Sequence, residues 1–239
     1  MREAVILAAG SGSRLGKSLP KALTPLAGKP LIGWIWDALA DVGVECAHII
    51  VSSRSSELER AASDLATNIE ARFHVCPDWQ LGNGRSTAYA EHVVSSDRFF
   101  VLMSDHLITP EHLRLVDAHT HSACALGTSS AAPWIDLVDA TKVAVDPDGL
   151  IRAIGKELEA FDAIDTGVFA MTHSIFPALE EARAAGEYSL TAGNRRLCRD
   201  GLLQSASIGT LRWYDIDTPT DLAAATSWLE SAPALRRVS

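Results

Sequence analysis

The chain has 239 residues, 21 basic and 30 acidic, for a formal charge of −9 with histidine neutral, and 47% of its residues are hydrophobic. That apolar share supports a sizeable buried core and excludes a disordered chain. The acidic balance, with no long Lys/Arg cluster, argues against binding polymeric DNA or RNA, and no apolar run approaches the roughly 20 residues of a membrane-spanning helix.

The opening Met1-Arg2-Glu3 runs straight into a strand-like Ala4 to Ala9, which does not read as a signal peptide. Periodicity then predicts a helix over Leu31 to Val42, a strand over Ala47 to Ser52 and a helix over Ser55 to Ala66. The order repeats with a strand at Arg72 to Cys76, a helix at Arg85 to Val94, a buried strand at Phe99 to Ser104 and a helix at Pro110 to His121 opened by its proline. Beyond about residue 125 come shorter strands at Lys142 to Val145, Ile151 to Ile154 and Ile164 to Met171, the first two joined by an Asp146-Pro147-Asp148-Gly149 turn. Helices over Ser174 to Ala185 and Ser189 to Arg199, a strand near Arg212 to Ile216 and a helix from Thr220 to Leu229 complete the pattern. The expected architecture is α/β, a mixed and mostly parallel sheet flanked by helices, in one domain over 1–231 with a loose tail at 232–239. Cys46, Cys76, Cys124 and Cys198 are dispersed and form no C-x-x-C pair, as in reduced cytosolic proteins, so a cytoplasmic location is expected.

The most informative segment is the loop from Gly10 to Lys21. Glycines bring backbone N–H groups close to an anion, and Arg14, Lys17 and Lys21 add donors suited to phosphate oxygens, so a polyphosphate ligand is expected. A dinucleotide fold needs its third glycine one place earlier and an acidic residue after the second strand, which here ends Ser52-Ser53-Arg54. A P-loop fits Gly16-Lys17-Ser18, but Ser11 stands where its first glycine belongs, and Pro20, Pro25 and Gly28 interrupt the required helix. The run Leu7-Ala8-Ala9-Gly10-Ser11-Gly12-Ser13-Arg14, followed by Pro20-Lys21, instead resembles the signature of the sugar-phosphate nucleotidyltransferases.

Other motifs follow in that family's order. The resemblance implies a Rossmann-like, GT-A-like fold, with Leu7, Ala8, Ala9, Gly10, Ser11, Gly12, Arg14 and Lys21 around a nucleoside triphosphate. Gly82, Asn83, Gly84 and Ser86 belong beside its base and ribose, and Ser104 precedes Asp105, the implied magnesium ligand. An isolated Gly-Asn-Gly reads equally well as a helix cap. Trp213-Tyr214-Asp215-Ile216-Asp217 resembles the second metal segment. Asp215 and Asp217 are two apart, so on a strand both face one way; Asp217 is alternatively a cap for the closing helix. Lys142, Lys156, Asp165, Thr166 and Gly167 fall in the implied acceptor site. Where the broader family has Glu-Lys this chain has Gly155-Lys156, which weakens the case for a hexose. The combined run is most similar to cytidylyltransferases that activate inositol 1-phosphate with CTP.

The implied reaction is in-line attack of an acceptor phosphate oxygen on the α-phosphorus of the NTP, with pyrophosphate leaving, Arg14, Lys21 and Asp105 acting in catalysis and Mg²⁺ as cofactor. GTP or UTP, and another cyclitol phosphate, a sugar 1-phosphate, phosphocholine or a phosphonate, stay open as substrates, and a non-catalytic nucleotide-binding module is a different class. A homo-oligomer is compatible with the sequence. His119, His121 and Cys124 form a cluster whose helical spacing argues against a metal site. Ser104-Asp105-His106 is not a hydrolase triad, since strand neighbours face opposite ways and no G-x-S-x-G elbow occurs.

Overall fold

All five residues of β1 (Glu3–Leu7) are buried, as a strand in the middle of a parallel sheet must be when both faces are covered. The structure is a computed structural model that describes residues 1–10, 20–53, 56–65, 69–119 and 123–231. After β1 come the hairpin β2 (Pro25–Leu26) and β3 (Lys29–Pro30), α1 (Leu31–Asp41), β4 (Cys46–Val51), α2 (Ser56–Asp64), β5 (Glu70–Val75), α3 (Asn83–Tyr89), β6 (Arg98–Met103), β7 (His106–Leu107) and α4 (Pro110–Ala118). Then follow β8 (Cys124–Ser129), β9 (Lys142–Val145), β10 (Ile151–Gly155), β11 (Ala163–Thr172), α5 (Ile175–Ala184), α6 (Leu190–Arg199), β12 (Leu203–Ser207), β13 (Tyr214–Asp215) and α7 (Pro219–Ser231).

Strands β5, β4, β1 and β6 lie side by side and parallel. The chain builds outward from β1 to β5, then returns to set β6 on the other flank of β1. The strand order therefore reverses between β1 and β6, and Leu7 lies level with Met103. Open α/β sheets bind ligands beyond the carboxyl ends of the strands at such a point. The rest of the sheet hangs on β11, which runs antiparallel to β6, β8 and β9; β12 pairs with β8 and β10 with β9.

Alternation along β1 divides the core. Ala4 and Ile6 pack with Ile35 and Leu39 of α1, Leu58 of α2 and Leu113 of α4, whereas Val5 and Leu7 pack with Phe176 of α5 and Leu190 and Leu197 of α6. A third apolar cluster joins Leu26, Trp34, Leu107, Tyr214, Ile216 and Leu229, which fixes α7 beneath the β7–β13 pair. α4 begins as expected, with Pro110 in its first turn and Thr109 accepting a hydrogen bond from the His112 amide at 3.3 Å.

Between β1 and α1 the chain makes a 3₁₀ turn at Lys21–Leu23 and a tight hairpin with Ala27 and Gly28 at positive φ, so no helix continues through Pro20 to Gly28 as a P-loop requires. Two strands of the large sheet had no sequence prediction. β8 (CALGTS) and β12 (LQSAS) are short and rich in small residues, and the pairing of β8 with β11 and of β12 with β8 supplies what local propensity does not. The expected helix to Val94 ends at Tyr89 and tightens into a 3₁₀ turn, Ala90–His92. All four cysteines are buried and free. Among the described residues, no helix is long and apolar enough to cross a membrane.

Candidate active site

β6 ends at Met103, and after Ser104 and Asp105 the chain forms β7, which pairs with β13. In that two-residue ladder His106 lies opposite Asp215 and Leu107 opposite Tyr214, and the Ile216 amide donates to the Asp105 carbonyl at 3.1 Å. The pairing brings Asp105 and Asp215 together across more than a hundred residues of sequence. Lys21 enters from the turn after the first loop. Its Nζ donates to Asp105 Oδ2 at 2.6 Å and also to Asp217 Oδ1.

Asp217 does not cap the closing helix. Thr218 and Asp221 do so with reciprocal bonds, the Thr218 amide to Asp221 Oδ2 at 2.7 Å and the Asp221 amide to Thr218 Oγ1 at 3.3 Å. The Asp217 carboxylate is thereby left to face Lys21. The observed strand stops at Asp215, so the two aspartates reach the cleft from a short strand and the turn behind it.

His106 is the site residue to which the sequence assigned no role. Its ring stacks on Trp213, with centroids 5.7 Å apart and planes 15° from parallel, while Nδ1 lies 2.8 Å from Asp105 Oδ1 and 3.7 Å from Asp215 Oδ1. Burial disfavours the imidazolium, but the charges of Asp215 and Asp105 prevail and raise its pKa to about 9. Burial likewise disfavours an ionised Asp105, yet His106 and Lys21 hold that carboxyl below the usual range. Asp215 is pushed up to about 6 by burial and by the like charges of Asp105 and Asp217. Asp105, His106 and Asp215 present donor atoms within 4.8 Å of one another.

A cavity of about 650 Å³ opens beside this cluster, lined by Asp105, Asp215 and Asp217 and by Asp139, Lys156 and Asp165. It contains much of the predicted acceptor site. At Gly167, φ is +70° and a Cβ would stand 2.5 Å from His106 Nε2, so only glycine lets β11 pass the imidazole. The Gly167 amide donates to Asp165 Oδ1 at 2.7 Å, and burial raises the Asp165 pKa to about 6. Lys156 pairs with Asp139. Two predicted acceptor residues are placed elsewhere. Thr166 is fully buried and bonds to the Gly127 carbonyl and His112, because strand alternation turns it away from the cleft. Lys142 donates to the Lys156 backbone carbonyl at 2.6 Å and supports that lysine from behind.

Among the residues expected on the nucleotide side, Leu7, Ala8 and Ala9 are buried at the end of β1, Gly10 is exposed beyond them, and the Ser104 amide donates to the Leu7 carbonyl at 3.2 Å. Ser11, Gly12, Arg14 and Lys17 lie outside the described residues. Gly82 and Gly84 let α3 approach the Tyr188–Ser189 backbone, since a Cβ at Gly84 would stand 2.5 Å from the Tyr188 carbonyl oxygen. Asn83 Oδ1 accepts from the Leu190 amide at 2.8 Å, so this asparagine caps α6 rather than its own helix. Ser86 is buried in the next turn of α3. In the predicted His119/His121/Cys124 cluster, Cys124 Sγ lies by the Thr172 and Ser174 hydroxyls, and His121 is outside the described residues.

The family pattern of the MobA-like NTP transferase domain matches residues 4–201. The chain belongs to that family. As an NTP transferase it has the expected nucleotidyltransferase fold and enzyme class, and Asp215 and Asp217 lie past the matched segment. It is 32% identical over 229 residues to a bifunctional IPC transferase and DIPP synthase of Thermococcus kodakarensis, covering 95% of this chain and 50% of that protein. The Aquifex aeolicus protein of the same name is 33% identical over 230 residues, with 95% and 51% covered. The chain thus spans about half the length of these curated relatives. Among solved structures, the inositol-1-phosphate CTP transferase from T. maritima superposes with a TM-score of 0.86 at 28% identity, covering 100% of this chain and 96% of the other. The carboxylates fit the divalent metal of an NTP transferase: hard oxygen donors of Asp105 and Asp215 lie within 4.8 Å of each other, and Asp217 joins Asp105 through Lys21, which already places positive charge there.

Proposed function

We propose that the chain transfers a cytidylyl group from CTP to inositol 1-phosphate, with Mg²⁺ as the divalent ion, and releases pyrophosphate. What carries this reading is the likeness along the whole chain to the T. maritima inositol-1-phosphate CTP transferase. The cavity adds support, since it pairs a lysine with a carboxyl-rich wall, a combination suited to a phosphate attached to a polyol.

An acceptor phosphate oxygen forms a bond to the α-phosphorus as the bond to the β-phosphate bridging oxygen breaks. No group on the protein is acylated or phosphorylated. Two anions must meet, so the protein's task is alignment and offsetting their repulsion. Lys156 binds the acceptor phosphate by exchanging its Asp139 partner for it, and Lys142 steadies the Lys156 backbone. Lys21 turns from the aspartates to the triphosphate, together with Arg14. Asp105, Asp215 and Asp217 would hold Mg²⁺, which when bound neutralises phosphate charge as pyrophosphate departs. Stacking on Trp213 keeps His106 in place, and its Nδ1 fixes one Asp105 oxygen.

The broader family's glutamate is absent at Gly155, which weakens the case for a hexose, and Arg195 beside it pairs with Glu157. Pyrophosphate release over four NTPs and a panel of inositol 1-phosphate, glucose 1-phosphate and phosphocholine tests the reading. CTP with inositol 1-phosphate is expected to lead in kcat/KM by about tenfold or more. A different leading pair overturns it. Lys156→Ala should raise the acceptor KM and leave the CTP KM unchanged; the reverse pattern means that the two phosphate sites are exchanged.

A further inference from the structure

Asn194 sits in α6, 1% exposed, and is one of the residues lining the cavity together with Thr191 one turn earlier. Residues three apart share a helix face, so both belong to the surface that α6 turns toward the cavity. Among the described residues, neither Oδ1 nor Nδ2 of Asn194 has a hydrogen-bond partner. Asn83 differs, because its Oδ1 is engaged by the Leu190 amide. Buried polar groups are almost always paired, since an unpaired one loses its hydration for nothing. An amide unpaired at both ends is a poor choice for packing: a leucine fills similar volume, and the neighbouring Leu190 and Leu197 show that this helix buries leucine readily. Asn194 lies at the cavity, where a bound ligand supplies the partners that the protein does not.

The ligand follows from the chemistry of the amide. It offers an acceptor and donors side by side in one plane, which matches two neighbouring hydroxyls, one donating to Oδ1 and the next accepting from Nδ2. A phosphate, which at neutral pH mainly accepts, would leave Oδ1 unsatisfied, and Lys156 already provides for it. Asp165, on the same cavity wall, can accept from a further hydroxyl. We infer that Asn194 is a specificity-determining residue of this enzyme, which recognises a vicinal hydroxyl pair on the polyol ring of the acceptor. The inference rests on the acceptor reading above and assigns the ring hydroxyls to a residue that no sequence motif marked.

The test compares wild type with Asn194→Leu and Asn194→Ser, measuring kcat and both KM values with CTP and inositol 1-phosphate, and then with mono-deoxy inositol 1-phosphates. Wild type should discriminate against the analogues lacking either of two adjacent hydroxyls. Asn194→Leu should raise the acceptor KM by about tenfold or more, leave the CTP KM unchanged, and lose that discrimination. Its melting temperature should equal or exceed that of wild type, because two unpaired polar atoms are gone. Should the leucine variant fail to fold, Asn194→Ser carries the same kinetic expectation. An unchanged acceptor KM, or discrimination that survives in the folded variant, overturns the inference while leaving the functional reading intact. Absence of turnover of inositol 1-phosphate by wild type overturns both.

Discussion

Lys21 Nζ stands 2.6 Å from Asp105 Oδ2 and bonds Asp217 through the same nitrogen, although 84 and 196 residues separate it from these partners. With its side chain only 11% exposed, the ammonium is packed among the carboxylates that a divalent ion would need. The two cations exclude each other there, and nucleotide phosphates offer Lys21 an alternative partner. Mn²⁺ should therefore bind the nucleotide-free wild type weakly and Lys21→Met about tenfold or more tightly, as read from the electron paramagnetic resonance signal of free Mn²⁺. Equal affinities would show that Lys21 does not compete.

Replacing Asp105 removes a carboxylate that Lys21 and His106 share. Asp105→Ala is expected to lower kcat by about 10²- to 10³-fold with the fold retained, judged by circular dichroism. Near-native turnover at saturating Mg²⁺ would refute the role given to Asp105.

Gly167→Ala tests the approach of β11 to His106. The new methyl group meets Nε2 at a backbone angle that side chains rarely adopt, so the variant should lose about 1–3 kcal/mol of stability. Its melting temperature should fall by several degrees and, because the imidazole is displaced from Asp105, kcat should fall even at temperatures where the protein is folded. A variant that melts and turns over like wild type would show that the strand can yield.

Part of the acid sensitivity should come from Glu3 and His112. Burial opposes ionisation of Glu3, but hydrogen bonds from Ser96, His48 and Ser95 dominate and lower its pKa from 4.5 to about 2. Burial, followed by the charge of His106, lowers His112 from 6.5 to about 3. Both folded-state values lie below the unfolded ones, so each group's contribution is complete above its unfolded value and is lost as pH falls. Urea midpoints should decline from pH 6.5 downward as His112 resists protonation, and more steeply below 4.5 as Glu3 does. Glu3→Gln should flatten the lower part of that curve; an unaltered slope would remove Glu3 from the account.

Sequence periodicity sufficed where elements are long and regular, as for β1, α1 and β6, and family resemblance pointed to Asp105, Asp215 and Lys21, which the fold brings together. It was less informative where tertiary partners decide. β8 and β12 have little strand propensity of their own, and Thr166 sits between two cavity residues yet faces the core because of the pleat. Asn83 satisfies a helix end 107 residues away, which no local cap pattern reveals. His106 was visible only as the neighbour of Asp105; its stacking on Trp213 depends on a strand pair of two residues. Asn194 lies inside an ordinary amphipathic helix, and its missing partners become evident only in three dimensions.

The ladder between β7 and β13 also bears on the order of events during synthesis. A nascent chain has every strand of the large sheet available before Asp215 and Asp217 have been translated. The acidic cluster is thus completed only after the sheet, and a chain cut short before Asp215 carries every strand of that sheet with one of the three carboxylates, Asp105.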